Sequence, residues 1–338
     1  MIRRVRQTLR GVVGACRGVW EYYSEGKISD KAWHFLLDAH VVSNGRFTEY
    51  LTPITSLLRP APRPAEHESL LGRFTTDEQH AIVADLKRDG FYVFRQRLPQ
   101  SFCDEIAVFA AKAPARTEDK NRPLTVYDRG NPVSRTYKIP ESLSAENGHV
   151  QELMADQAFL AIASEYLRTQ AAVSGVDLWW SAVYGNTPGD DAAQTFHFDF
   201  DAPPAWLKLF IYLGDVGAGQ GPHVFVRGTH KPGHPGTAEL RGRGYERISD
   251  EDLAAAIGSQ NEIEIIGTKG TVFFVDTRAF HKGKMPTVGD RLALQLLYCS
   301  PIFCSHGARV PLKKICAPLA DAIAKNKHAY DRYLTSVK

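Results

Sequence analysis

The sequence predicts a mainly β fold with flanking helices, of the α+β class, built as an antiparallel sandwich or jelly roll. Three observations support this prediction. The chain has 338 residues, which is long enough for one large domain with extensions. From Val176 onward, short runs rich in β-branched and aromatic residues follow one another, and clusters of Gly, Pro and Asp separate them. Most of the gaps hold no long helix, which argues against a parallel sheet.

About eight strands are predicted, and one insertion interrupts them. The insertion covers residues 231–260, is rich in Gly and Arg, and would hang over one mouth of the barrel. Ser249 and Asp252 predict a helix inside it, because their types and spacing suit a helix N-terminus. The predicted strands are 91–94, 178–184, 195–200, 207–213, 223–226, 263–266, 272–275 and 292–298.

Helices are predicted mainly before this β-rich region. Residues 1–59 begin with a helix whose apolar residues are spaced by three and four. The prolines of residues 60–64 then mark a linker, because proline cannot continue a helix. A capping box of Thr76 and Gln79 opens the next helix, and Gly90 ends it. Two further helices are predicted, one starting at Ser101 and one over 151–168.

Composition and charge exclude several classes of protein. The formal net charge is only +3 and no zinc-finger, helix-turn-helix or RNA-binding signature is present, so we expect no nucleic-acid partner. No run approaches the roughly 18 apolar residues of a membrane-spanning helix, and the N-terminus lacks the features of a secretory signal. The five cysteines include no C-x-x-C pair. This favours reduced, buried cysteines and a cytoplasmic location over a disulfide framework or a zinc ribbon.

The first helix carries several arginines among its apolar residues, with no acid before Glu21. A basic amphipathic helix of this kind can make a peripheral contact with an anionic membrane surface. A helix docked on its own protein, with the arginines in water, is the commoner arrangement. An organellar transit peptide would have a similar pattern.

The stretch QTFHFDFD, residues 194–201, places three ionisable side chains on one side of a predicted strand. Successive side chains of a strand point to opposite faces, so His197, Asp199 and Asp201 share one face. Residues i and i+2 can converge on one ion, whereas i and i+4 span roughly 13 Å in a strand. Asp199 is therefore preferred to Asp201 as the partner of His197.

Two residues further along the chain, His281 and Arg291, make the short His-x-Asp pattern more informative. The strand GTVFFVD, residues 270–276, leads to His281, and Arg291 follows ten residues later at the start of the last strand. In order and approximate spacing, the sequence resembles the phytanoyl-CoA dioxygenase family of iron(II)- and 2-oxoglutarate-dependent oxygenases. The resemblance covers residues 85–301, about two thirds of the chain. It includes the stretches LKRDGFYVFRQRLP, HFDFD, LKLFIYLGDV, GPHVFVRGTHK, GTVFFVDTRAFHKG and RLALQLLY.

The resemblance, together with the predicted flanking helices, leads us to expect three parts in this chain. A double-stranded β-helix, a jelly roll of the cupin-like kind, would occupy residues 65–310 as the oxygenase domain. A helical extension would precede it at residues 1–60, and a C-terminal helical tail would follow at residues 311–338. The segments before about residue 85 and after residue 301 match no family that we can name.

The resemblance also implies a set of site residues. His197, Asp199 and His281 would form a facial triad, a ligand set that suits Fe(II) and leaves three positions open. 2-Oxoglutarate would take two of these positions and dioxygen the third. Arg291 would bind the distal carboxylate of 2-oxoglutarate through its guanidinium fork, and Gln194 would be a second contact to this cosubstrate. We expect no catalytic residue beyond the metal ligands.

The other residues near these motifs are expected to line the pocket, to support the structure or to lie on the surface. Candidate pocket-lining residues without decisive spacing are Ser181, Lys208, Phe210, Arg135 and Lys138. Asp201 is expected to be a hydrogen-bond acceptor beside the site or a turn residue, and His223 and His230 are expected to be structural histidines distant from the iron. Solvated surface charge is expected for Arg241, Arg243 and Arg247.

The implied activity is that of a 2-oxoglutarate-dependent dioxygenase of the EC 1.14.11 type. It would hydroxylate a small-molecule or lipid-like substrate and release succinate and CO2. The alternatives are a non-redox metal-dependent hydrolase or isomerase, a non-catalytic binding jelly roll, or an oxygenase that desaturates, epoxidises or cyclises. Asp199 argues against halogenation, because relatives that halogenate lack the carboxylate ligand. The arginines and the basic first helix suggest a lipid or glycolipid reached from a membrane surface.

Overall fold

The order of secondary structure follows the predicted division, with helices first and strands later. In this computed structural model, residues 2–190, 193–244, 246–304 and 309–335 are described. The α-helices are α1 (Ile2–Glu25), α2 (Asp30–Val42), α3 (Arg46–Glu49), α4 (Thr52–Leu58), α5 (Thr76–Asp89), α6 (Gln100–Lys112), α7 (Glu141–Ser144), α8 (Gly148–Ala155), α9 (Gln157–Leu167), α10 (Ala238–Gly242), α11 (Asp250–Ile257), α12 (Pro301–Cys304) and α13 (Ala317–Lys325). Short 3-10 helices cover Pro235–Thr237, Ser259–Asn261 and Lys327–Tyr333. The strands are β1 (His67–Ser69), β2 (Gly72–Phe74), β3 (Phe91–Arg97), β4 (Pro114–Ala115), β5 (Thr125–Val126), β6 (Thr136–Ile139), β7 (Ala172–Ala182), β8 (Trp206–Tyr212), β9 (His223–Val226), β10 (Glu262–Ile265), β11 (Thr271–Val275), β12 (His281–Gly283) and β13 (Asp290–Cys299).

Two antiparallel sheets form the jelly roll. The larger has six strands in the order β3-β11-β8-β13-β7-β6, and the smaller has three in the order β10-β9-β12. Neighbours within each sheet are distant in the sequence, as in β11 beside β3 and β13 beside β7. Aromatic side chains from both sheets, such as Phe210 and Phe225, share one buried cluster between them. The predicted jelly roll with flanking helices is therefore confirmed, although helix (41%) exceeds strand (22%).

The apolar run of β8 follows from burial on both of its faces. All of its residues are buried. Leu209 and Ile211 belong to the main core on the helical side of the sheet, whereas Phe210 and Tyr212 belong to the cluster between the sheets. A strand covered on both faces has no side toward solvent. Its sequence is therefore a continuous hydrophobic run and does not alternate between apolar and polar residues.

The helices that cover the outer face differ locally from the predicted ones. The capping box of α5 is formed by Thr75 and Glu78, one residue earlier than predicted, and Gly90 ends the helix at φ +87°. The single helix predicted over 151–168 is wrong. The Asp156 side chain accepts hydrogen bonds from the backbone amides of Ala158 and Phe159, which ends α8 and starts α9.

The helical extension packs on the jelly roll through α1 and α2. Ala15 of α1 and Leu36 of α2 share a buried cluster with Trp206 of β8. At the other end of the chain, Tyr330 and Tyr333 are fully buried in the main core. Both ends therefore contact the cores of the fold, and the proposed domain ranges remain a prediction.

The cysteines depart from the expectation of reduced, buried side chains. Cys103 is free and buried, but Cys16 is exposed and Cys316 is half-buried. Cys299 is disulfide-bonded, and the side chain of Cys304 lies outside the described residues. The expectation is therefore wrong for Cys16 and Cys299. No helix in the described ranges has the length and apolarity needed to cross a membrane.

Candidate metal centre

Backbone pairing brings the two histidines of the predicted triad together. The His197 amide donates to the His281 carbonyl at 3.0 Å, and the His281 amide donates back at 2.8 Å. Their ring centroids are 4.3 Å apart. The strand predicted over 195–200 is wrong, because the segment pairs only through isolated bridges, of which His197 with His281 is one. The Asp199 amide then bonds to the Thr277 carbonyl, out of regular register.

The three predicted ligands form one cluster. Their ligand atoms all lie within 4.8 Å of one another. Asp199 Oδ1 is 3.7 Å from His197 Nε2, and Asp199 Oδ2 is 3.5 Å from His281 Nε2. The Nδ1 atom of each histidine is 2.9 Å from a backbone carbonyl, that of Thr195 for His197 and that of Ala279 for His281. These bonds fix both rings and leave Nε2 as the free ligand atom.

This donor set fits a divalent metal such as iron(II). Two neutral imidazoles and one carboxylate are the ligands that non-haem iron takes in its three-residue sites, and the arrangement leaves positions for other ligands. Burial, and then the neighbouring His281, lowers the pKa of His197 to about 3, which keeps this ring neutral and able to coordinate. Burial raises the pKa of Asp199, but Lys208 and the two histidines outweigh it and hold this pKa well below its usual value.

A buried lysine lies next to the carboxylate of the cluster. Lys208 Nζ is 2.6 Å from Asp199 Oδ2 and 2.9 Å from Asp201 Oδ2. Burial lowers the pKa of Lys208, but the two carboxylates together raise it above its ordinary value. The pKa of Asp201 is raised, because burial outweighs its attraction to Lys208. Asp201 is thus the partner of the lysine and not a member of the metal-ligand cluster.

Arg291 opens β13 as a buried guanidinium. Its Nη2 donates to Ser181 Oγ at 3.0 Å and its Nη1 donates to the Gly221 carbonyl, while Nε has no hydrogen-bond partner among the described residues. Burial lowers its pKa. Within the described part of the chain, no carboxylate lies within ion-pair distance of it. A carboxylate brought by a ligand can therefore use its free hydrogen-bonding capacity.

A glycine places Arg291 on the same side of β12 as His281. A Cβ on Gly283 would be 3.1 Å from Arg291 Nη2, so the guanidinium lies against this residue. His281 and Gly283 are two positions apart in a strand and share a face, with a spacing of roughly 7 Å. This separation suits a small dicarboxylate that spans the metal cluster and the arginine.

Gln194 is buried, and its side-chain oxygen accepts a hydrogen bond from the Gly189 amide at 2.9 Å. That oxygen therefore supports the preceding loop. The contact of Gln194 with the cosubstrate remains a prediction.

The expectation that His223 is distant from the metal site is wrong, because the structure places it beside the proposed ligands. Its ring is stacked on His281 with centroids 5.5 Å apart, and it lies 4.7 Å from the ring of Phe210. Its Nε2 is buried with no hydrogen-bond partner in the described part of the chain, and burial holds the pKa of His223 well below its usual value. Only the pairing of β9 with β12 puts it beside the site, since His223 is opposite Gly283. That pairing has no local signal in the sequence.

The other candidates divide between the site and the scaffold. Ser181, Lys208 and Phe210 contact site residues, whereas Lys138 pairs with Asp177 at 2.5 Å and is largely exposed. His230 packs structurally, with Nε2 at 3.2 Å from the Lys87 carbonyl, and Arg135 pairs with Glu118. Arg241 is fully buried and bonds to the carbonyls of Thr229 and Arg278, so its expected solvation is wrong, while Arg243 and Arg247 are exposed as expected.

Comparisons with known proteins give one family and one fold. A family model described as phytanoyl-CoA dioxygenase matches residues 86–287, and no curated protein matches the chain. HygX from Streptomyces hygroscopicus, crystallised with nickel and 2-oxoglutarate, is similar at 16% identity and a TM-score of 0.50, covering 71% of this chain and 92% of that one. The α-ketoglutarate dependent epimerase SnoN from nogalamycin biosynthesis is similar at 13% identity and a TM-score of 0.45, covering 66% and 83%. EctD from S. alaskensis is similar at 19% identity and a TM-score of 0.44, covering 72% and 83%. At this identity, the likeness to HygX shows the fold alone.

Proposed function

The chain belongs to the phytanoyl-CoA dioxygenase family of iron(II)- and 2-oxoglutarate-dependent oxygenases, and we propose that His197, Asp199 and His281 are the residues that hold its iron. The observation that carries this proposal is the geometry of the cluster. Both histidines have Nδ1 tied to the backbone, and all three ligand atoms lie within 4.8 Å of one another.

Each polar group of the site has a role toward the cosubstrate or the ligands. Arg291 binds the distal carboxylate of 2-oxoglutarate, Ser181 orients the guanidinium, and Gln194 is a weaker candidate contact. Lys208 fixes Asp199 by pairing with one of its oxygens. When bound, iron(II) with 2-oxoglutarate and dioxygen supplies the oxidising power, and the protein supplies position and exclusion of water.

The proposed outcome is hydroxylation of a small-molecule or lipid-like substrate. One atom of dioxygen enters a C–H bond to give the alcohol, the other enters 2-oxoglutarate, and succinate and CO2 leave. Hydroxylation is proposed as the default outcome of this ligand set, and desaturation, epoxidation and ring closure would use the same ligands. A non-redox hydrolase or isomerase would need neither dioxygen nor Arg291, and a binding module would not need the complete ligand set. A cytoplasmic location remains a prediction.

Metal and cosubstrate binding test the assigned residues without knowledge of the substrate. We expect the full chain to bind Mn(II), a redox-stable stand-in for iron, in equilibrium dialysis under nitrogen, and Asp199→Ala to lose this binding. Arg291→Ala should keep Mn(II) but weaken 2-oxoglutarate binding at least about tenfold, because a buried bidentate contact is lost. In air with Fe(II), succinate formation should require Asp199.

The matched control is Asp201→Asn, which alters the neighbouring carboxylate and leaves the proposed ligands in place. It should retain Mn(II) binding. If Asp201→Asn loses the metal while Asp199→Ala keeps it, the ligand assignment is wrong. Unchanged 2-oxoglutarate binding in Arg291→Ala would remove the arginine from the cosubstrate site. Turnover of a substrate without dioxygen would favour the hydrolase or isomerase.

A further inference from the structure

One face of α1 presents a continuous row of apolar side chains to solvent. At 100° per residue, these side chains fall within an arc of roughly 100° on the helix. Isolated exposed hydrophobic residues are ordinary, but a contiguous row marks a surface that contacts a partner or a membrane. The exposed residues of this face are Val5 (55%), Leu9 (62%), Val12 (49%), Val13 (55%), Trp20 (64%) and Tyr23 (54%).

The opposite face of α1 is fixed against the protein by glycines. Gly11, Gly14 and Gly18 are buried, and a Cβ on Gly14 would be 2.8 Å from Phe35 Cβ of α2. Only a residue without a side chain allows this close approach, so the helix is held in one rotational setting. The apolar row cannot turn inward without losing the contact that the glycines permit.

Arginines line one edge of the apolar row. Arg6, Arg10 and Arg17 are exposed and lie next to the row in the helical projection. Acidic groups are few on the part of this helix whose side chains are described. Glu21 is buried and pairs with Arg17, which leaves Glu25 as the exposed acid. The outer surface of α1 is thus apolar along its centre and positive along one side.

We propose that this face of α1, from Val5 to Tyr23, docks on the surface of a bilayer that contains anionic lipids. A helix of 24 residues lying in the interface would place its apolar row at the acyl boundary and its arginines among the headgroups. Trp20 has the amphipathic ring that favours this depth. A second copy fits less well, because pairing two such faces would bring arginine edges together with few acids to balance them. The proposal is independent of the metal chemistry.

Vesicle binding of the full chain tests the proposal directly. We expect the protein to sediment at low salt with vesicles of phosphatidylcholine and phosphatidylglycerol, and much less with phosphatidylcholine alone. The double variant Leu9→Glu/Val13→Glu should lower the partition coefficient at least about tenfold. Arg6→Gln and Arg10→Gln should each lower it about fivefold. Val108→Glu is the matched control, since Val108 is 54% exposed on α6, and it should bind as the parent does.

A second measurement follows the tryptophan fluorescence of the parent protein, with Trp20→Phe as its control. All five tryptophans lie in the described ranges, and Trp20 is the one classed as exposed. Its fluorescence should shift to the blue when anionic vesicles are added, and Trp20→Phe should abolish the shift. Far-UV circular dichroism of each variant checks that α1 remains folded.

Three results would overturn the proposal. The parent could fail to bind anionic vesicles, the Leu9→Glu/Val13→Glu variant could bind them equally well, or the fluorescence could stay unchanged. If sedimentation velocity shows a dimer that this double variant dissociates, and vesicles do not bind, the face is a self-association surface.

Discussion

Lys208 shows how charge is balanced at the metal site on the scale of single residues. This lysine pairs with both Asp199 and Asp201, and all three side chains are largely buried. Removing one partner from a buried ion-pair group leaves charges without compensation, which costs more than the pair itself contributes. Lys208 therefore stabilises the site by neutralising both carboxylates, and it fixes Asp199 through one oxygen.

Lys208→Met should lower the free energy of unfolding of the metal-free protein by about 3–5 kcal/mol, because two buried carboxylates lose their cation. The Mn(II)-induced rise in Tm should be larger than in the parent, since the metal then supplies the positive charge that Asp199 has lost. Urea and thermal unfolding with and without Mn(II) measure both effects. The double variant Lys208→Met/Asp201→Asn should recover much of the lost stability. Equal stability of the parent and the single variant would contradict this account.

His230 provides a test of pH dependence away from the metal ligands. Burial lowers its pKa from 6.5 to about 4, so the folded state holds this ring neutral. An unfolded chain binds the proton at higher pH, and protons therefore favour unfolding. The contribution of His230 is present above about pH 6.5 and is lost as the pH falls through about 4.

Between about pH 7 and about pH 5, the parent should lose about 2 kcal/mol of unfolding free energy that His230→Gln does not lose. Other buried histidines, such as His40, lower the stability of both proteins in the same range, so the difference between the two slopes is the quantity to measure. Urea unfolding at the two pH values provides it. Parallel slopes would show that the folded state does not lower the pKa of His230.

The sequence predicted some site residues and missed others for a physical reason. His197, Asp199 and His281 were predicted from spacing and from the resemblance, and they do form one cluster. His223 and Arg241 were misjudged because their surroundings come from distant segments. The position of His223 depends on the pairing of β9 with β12, and the burial of Arg241 depends on carbonyls of Thr229 and Arg278.

At the scale of elements, strands buried on both faces were the easiest to predict. β8, β11 and β13 are long apolar runs, and each contains the corresponding predicted strand or most of it. The segment around His197 has the composition of a strand and yet forms only isolated bridges. Its backbone partners are the 277–281 turn region and Ile248, and neither supplies a regular ladder. Local propensity therefore predicted a strand over 195–200, but the tertiary partners of this segment allow only isolated bridges in the described structure.

Helix boundaries show the same limit. Apolar residues recur at helical spacing throughout residues 151–167, and this periodicity alone predicts one helix. The Asp156 carboxylate breaks it, because it caps the backbone of α9 and also accepts hydrogen bonds from Ser69 and Leu70 of the β1–β2 hairpin. A capping residue inside an apolar run is a local signal, but only the tertiary contact with the hairpin decides that the chain uses it.

On the scale of the whole molecule, side chains of the N-terminal extension (residues 1–60) and of the C-terminal tail (residues 311–338) are buried in the same hydrophobic cores as the jelly roll. Trp33 and His40 of α2 contact the ring of Phe200 at centroid distances of 5.6 Å and 5.0 Å, directly beside the metal-ligand segment. Arg278 pairs with Glu49 at 2.8 Å and with the buried Asp276. At the other end, Arg332 pairs with Glu141 at 2.7 Å.

We therefore expect a chain cut to residues 65–310 not to fold as a stable unit. Tyr330 and Tyr333 are fully buried, and each buried aromatic side chain contributes about 1.5–3 kcal/mol. With the contacts of α2 also lost, the deficit approaches the whole stability of an ordinary domain, about 5–15 kcal/mol. Thermal unfolding and limited proteolysis of the cut chain measure this against the full chain. The separate cuts 61–338 and 1–310 distinguish the effect of the extension from that of the tail. Cooperative unfolding of the 65–310 chain at the parent's Tm would show instead that the jelly roll supports the metal site alone.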